Sequence, residues 1–207
     1  VDAARQGARY CWGGYLWQVH DAKLGPLVSG PEYPKSDPTP FNGQGLPESF
    51  RHRTRDGKPF TLKGREGLAI GAGLLAADEK NIVTLIVQCA WTVTTFVDHL
   101  VFQTRQAGAG FSYELTRKVE LRDRTVTSFT QLTNVGEVPL VLEWFAHPFW
   151  ALTGGRARVA LPAGTMLPDN PGFVVAADGT LTFQRPFVTK DDNQFALLAL
   201  SRGRELS

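Results

Sequence analysis

Apolar and polar residues alternate with period two through most of the chain. In Phe111-Ser-Tyr-Glu-Leu-Thr this places Phe111, Tyr113 and Leu115 on one face, the spacing of a half-buried strand. Thr125-Val-Thr-Ser-Phe-Thr-Gln-Leu-Thr is dense in β-formers and breaks at Asn134-Val-Gly-Glu. In the run from Val138 to His147, Leu140, Leu142 and Trp144 alternate against Val141, Glu143 and Phe145. Ile82 to Val87 and Trp91 to Phe102 read as two further strands, since β-branched and aromatic runs fit a pleated, half-buried surface. Turn signals lie between these runs at Arg55-Asp-Gly, Arg122-Asp-Arg, Asn134-Val-Gly and Ala177-Asp-Gly. No window carries a convincing apolar stripe at helical spacing. Residues 65–79 come nearest, but Gly67, Gly71 and Gly73 would each cost roughly 1 kcal/mol inside a helix, so the segment reads as a bulged or tightly packed strand. Strands joined by short turns without helical crossovers predict an all-β chain of antiparallel sheets packed as a sandwich or barrel.

Residues 25–45 break the pattern. Pro26, Pro31, Pro34, Pro38 and Pro40 stand there among several glycines, which predicts an ordered, irregular loop running over the sheets. No repeat or boundary interrupts the hairpin spacing, and 207 residues suit one domain, read here as 1–207. The chain opens on Val1 and stops at Ser207, just past a strand-like run, so a fragment of a longer protein is expected. A hydrophobic share of 43% is ordinary globular composition. A net charge of +2 from 22 basic and 20 acidic residues leaves no electrostatic footprint for nucleic acid or an anionic membrane, and no apolar run nears the ~20 residues of a membrane helix. Cys11 and Cys89 are expected to be buried free thiols, and the compartment expected is the cytoplasm.

The chemistry-bearing residues are few. His20, His52, His99 and His147 show no metal-ligand spacing, and no cofactor-binding fingerprint or nucleophile elbow is present; neither metal nor cofactor is expected. The most informative stretch is Glu143-Trp-Phe-Ala-His-Pro-Phe-Trp. His147 follows a strand and precedes a proline that cannot continue a ladder, with aromatic residues on both sides. Such rings stack on the C–H faces of a pyranose, and an imidazole exchanges a proton near neutrality. The plainer reading makes His147 a satisfied corner residue and Trp144 and Trp150 core. A second cluster, residues 41–53, gathers Glu48, Arg51, His52 and Arg53, with Arg51 and Arg53 on one strand face. It reads either as a carboxylate–guanidinium set for hydroxyls or anions or as a solvated strand with an internal ion pair. The third, Ala8 to Val19, holds Tyr10, Trp12 and a glycine pair and reads more readily as core edge than as site.

Taken in order, Gly7-Ala-Arg-Tyr-Cys-Trp-Gly-Gly, Gly43-Gln-Gly-Leu-Pro-Glu-Ser-Phe, Gly71-Ala-Gly-Leu-Leu, the hairpin from Tyr113 to Asn134 and Trp144-Phe-Ala-His-Pro-Phe-Trp resemble the galactose mutarotase-like superfamily of aldose 1-epimerases and hexose-6-phosphate mutarotases. The resemblance spans about residues 7–170 and rests on the ordered set. It implies a large antiparallel β-sandwich, incomplete at its C-terminus, with a sugar cleft on the concave face of one sheet. It implies interconversion of hexose or hexose-phosphate anomers by acid–base catalysis without a cofactor. By position in the motif, His147 would be the general acid. Glu48, Arg51 and Arg53 would contact hydroxyls or phosphate, and Trp144 and Trp150 would line the cleft, the partner being a small-molecule carbohydrate. Two departures stand out. The family's second histidine is missing from Leu62-Lys-Gly-Arg-Glu-Gly-Leu, and its glutamate base belongs to strands beyond residue 207. A non-catalytic carbohydrate-binding protein, or an accessory domain of a larger carbohydrate-active enzyme, is the alternative.

Overall fold

Fourteen strands are present in the computed structural model, which describes residues 7–30, 43–53, 62, 64–150, 159–161 and 173–183. They are β1 (His20–Asp21), β2 (Gly25–Pro26), β3 (Glu48–Arg53), β4 (Glu66–Ala69), β5 (Gly73–Ala77), β6 (Val83–Gln88), β7 (Thr92–Thr95), β8 (His99–Gly108), β9 (Phe111–Arg122), β10 (Thr125–Asn134), β11 (Val141–Ala146), β12 (Val159–Ala160), β13 (Phe173–Val175) and β14 (Thr180–Phe183). No helix occurs among the described residues, and so none that is long and apolar enough to cross a membrane. Every strand pair is antiparallel. The expected all-β class with antiparallel sheets is therefore observed.

The longest sheet is a meander ordered β10-β9-β8-β7. Two of its turns are two-residue loops that use a left-handed backbone. Ala109 and Gly110 connect β8 to β9 with φ of 50° and 80°, and Asp123, at φ 52°, opens the β9–β10 turn. Alternation sorts the faces: Tyr113, Leu115 and Arg117 are buried, whereas Glu114 is exposed and Thr116 half-buried. Sheet β4-β5-β6 packs on the buried face, where Leu68 and Ile70 join Cys11, Tyr113 and Leu115 in one core cluster. Tyr113 ties the layers together: its hydroxyl accepts from Gly71 N at 2.9 Å and donates to Gln106 Oε1 at 2.8 Å. Strands β3 and β11 form a separate ribbon, and β1 and β2 a short hairpin.

Two expectations need correction. Trp91 to Phe102 is not one strand: β7 ends at Thr95, the chain turns at Val97-Asp98, and Phe96 N bonds to His99 O at 2.8 Å. This turn has no glycine or proline; Phe96 stacked on His99 at 4.3 Å and the Asp98–His99 hydrogen bond close it instead. Residues 65–79 are likewise a hairpin, β4 and β5 around Gly71 at φ 76°; the one bulge along β5 belongs to its partner β6, where Ile86 is the extra residue opposite Leu74 and Leu75. The segment from Ala8 to Val19 forms no strand. It enters the core through Tyr10, Cys11 and Trp12, bonding singly to β3 (Cys11 N to Glu48 O, 2.9 Å) and to the Gly71 turn (Trp12 N to Gly71 O, 3.1 Å). Both cysteines are free and buried.

By contact density the chain divides into two compact units, Val1–Trp150 and Ala151–Ser207. In the second, β12-β14-β13 form a sheet whose β13–β14 turn closes at Gly179, φ 80°. The turn expected at Arg55-Asp-Gly and most of the proline-rich loop (residues 31–42) lie outside the described residues.

Candidate functional site

The β3–β11 ribbon carries four of the six candidate site residues, Glu48, Arg51, Arg53 and Trp144, with His147 just past its end, and its register decides which of them meet. Glu48 stands opposite Ala146, Phe50 opposite Trp144 and His52 opposite Leu142, while Ser49 stands opposite Phe145, Arg51 opposite Glu143 and Arg53 opposite Val141. Directly opposed residues share a face. One face therefore presents Glu48 and Trp144, and the other carries positions 51, 53, 143 and 145. His147 continues the second face. Its N–H donates to Pro47 O at 2.9 Å, and Phe149 N donates to Gly45 O at 2.8 Å. The bonding thus skips Pro148, whose missing N–H falls where none is used. β11 itself ends at Ala146, before the proline, as expected, and these two bonds extend its edge.

The His147 ring is half-buried in an aromatic wall. It stacks on Phe149 at 4.6 Å with 23° between planes, and meets Phe145 at 6.1 Å and the edge of Tyr10 at 6.2 Å. Tyr10 is 1% exposed, and its hydroxyl has no hydrogen-bond partner among the described residues. Burial, partly offset by the Arg9 guanidinium 5.1 Å above the ring, pushes the Tyr10 phenol above its ordinary range. Gly43 makes this wall possible, because at φ 83° a Cβ there would press on Tyr10 Oη and the Phe149 ring. Tyr15 closes one side, its hydroxyl donating to Gln44 O at 2.6 Å, and burial raises that phenol to about 12. Glu143 lies on the same strand face, four residues from His147, a backbone separation of roughly 13 Å at ~3.3 Å per residue.

Across the ribbon, Glu48 has a different task. It is buried and ion-paired with Arg117 of β9, a residue 1% exposed that the sequence did not single out. Arg117 also donates to Gly13 O at 2.7 Å, Ser128 Oγ at 3.1 Å and Thr130 Oγ1 at 3.1 Å. Glu48 Oε2 accepts from Thr130 Oγ1 at 3.0 Å and from Trp144 Nε1 at 3.0 Å. The carboxylate is thereby saturated, as a buried charge must be. Trp144, 49% exposed, is held by its N–H with much of its ring in solvent. Trp150 is also exposed and bridges to Val28. The one signal for Arg117 was its place in the buried-face alternation of β9, where a charge among apolar positions demands a partner.

Among the described residues no group of His, Cys, Asp and Glu could hold a metal ion. Comparison with family models, with curated proteins and with solved structures gives no match.

Proposed function

We propose that this is a carbohydrate-active protein of mutarotase type, its sheets belonging to a large supersandwich, in which His147 exchanges a proton with the anomeric centre of a hexose or hexose phosphate. The observation that carries this reading is the half-buried imidazole just past β11, stacked on Phe149, in a residue whose backbone N–H donates to Pro47 O. Stacking restrains the ring and partial exposure leaves it open to a ligand, both of which general acid catalysis needs. Positions 51 and 53 share the face that His147 continues, and guanidinium groups suit hydroxyls or a phosphate; Trp144 lies on the opposite face, which leaves the exposed Trp150 as the stacking ring. Two buried free thiols suit a reducing compartment such as the cytoplasm.

One observation favours the second reading, carbohydrate binding without turnover. Glu48 is committed to Arg117 and lies on the far face from His147, so it does not supply the second proton-transfer group. Anomer equilibration followed by polarimetry or NMR over a panel of aldoses and their phosphates separates the two. Mutarotase activity should fall by about 10²-fold in His147→Ala. An unchanged rate removes His147 from the mechanism, and sugar affinity without acceleration over buffer selects the binding reading.

A further inference from the structure

We infer that the outer face of β7, β8 and β9 carries a binding cleft for a small neutral saccharide. This rests on the carbohydrate reading above but assigns the ligand to a surface that His147 does not line. The cleft has a volume of about 390 Å³, within the ~300–1,000 Å³ of small-ligand sites. Its walls come from adjacent strands in register. Thr92 stands opposite Gln103, which stands opposite Thr116, and on the next same-face row Arg105 stands opposite Glu114. The row continues onto β10, where Gln131 faces Thr116. Leu115 and Thr104, which alternate with these residues, are buried, so the polar row sits on a floor fixed by the core.

The chemistry of this row selects the ligand class. Thr92, Gln103 and Thr116 each offer both a donor and an acceptor, which matches sugar hydroxyls. Arg105 Nη1 donates to Glu114 Oε1 at 3.0 Å, with side chains 68% and 49% exposed. A pair this exposed adds little to folding, yet it leaves guanidinium donors and a carboxylate oxygen side by side. Their charges cancel, which favours a neutral polyol over an anion. The walls have no aromatic ring, so recognition here is by hydrogen bonds and differs from the stacking expected at Trp150.

Amide NMR of the full chain titrated with D-glucose, maltose and glucose 6-phosphate tests this. Glucose or maltose should shift the amides of residues 92, 103–105 and 114–116, with affinity read at these amides reduced about tenfold in Gln103→Ala and Thr116→Val. Circular dichroism should show both cleft variants folded. Shifts confined to the β11–Phe149 segment, with cleft variants binding normally, would overturn the cleft and leave the His147 reading standing. Tighter binding of the phosphate ester would overturn the neutral-ligand assignment. Absence of shifts with every sugar would overturn the cleft, and the mutarotase reading falls with it only if anomer equilibration is also unaccelerated.

Discussion

Removing either member of the Glu48–Arg117 pair should bring the protein close to unfolding. Arg117 is 1% exposed and supplies Glu48, Gly13, Ser128 and Thr130. Arg117→Leu leaves a buried carboxylate with the neutral donors Ser128, Thr130 and Trp144 and no counter-charge, and Glu48→Leu leaves a buried guanidinium without its own. Breaking a buried pair from one side costs about 3–5 kcal/mol, whereas replacing both charges by apolar groups is often neutral. Against a domain stability of about 5–15 kcal/mol, either single change removes a large fraction. The double variant Glu48→Leu/Arg117→Leu should then be no less stable than either single one, giving a coupling of at least about 3 kcal/mol. Urea unfolding followed by circular dichroism measures all four corners of the cycle. Additive costs, or single variants within about 1 kcal/mol of the parent, would refute the claim that these charges are held out of water by each other. The exposed Arg105–Glu114 pair is the internal control, with less than about 1 kcal/mol expected.

Three further outcomes follow from burial and backbone shape. Neither thiol should react with a disulfide reagent at pH 8 in the folded protein, and both should react in denaturant; a fast native phase would contradict their burial. Burial raises the Cys11 thiol from 9.0 to about 11, so the folded state holds its proton longer than the unfolded one. The stability from this group is complete below pH 9 and is lost as pH rises towards 11, by on the order of 3 kcal/mol; urea midpoints should show the fall, and Cys11→Ala should flatten it between pH 9 and 10. At Gly71, φ 76°, a Cβ would collide with Cys11 Sγ, so Gly71→Ala should lower stability by more than about 1 kcal/mol, and a melting temperature equal to the parent's would show the turn to be less constrained.

The strands were legible where alternation is strict. Phe111, Tyr113 and Leu115 share the inward face of β9 as their spacing requires, and Asp123 turns the hairpin where Arg122-Asp-Arg signalled it. The hairpin at Val97-Asp98 was not legible, because stacking of Phe96 on His99 replaces the usual glycine or proline. The Tyr10 segment alternates but spends its backbone on single bonds to two different elements, a choice that depends on tertiary neighbours. For the site, period two is enough to separate Glu48 from Arg51 and Arg53. The tie from Glu48 to Arg117 spans 69 residues, and no local pattern carries such information.

The ribbon also sets a parity rule for β11. His147 and Trp144 project from opposite sides of one strand, so a one-residue slip of β11 against β3 would swap their sides. The indole would leave the carboxylate, and the imidazole would turn toward it. A slip by two residues would keep each on its own side, so register errors here are distinguishable by whether they are odd or even.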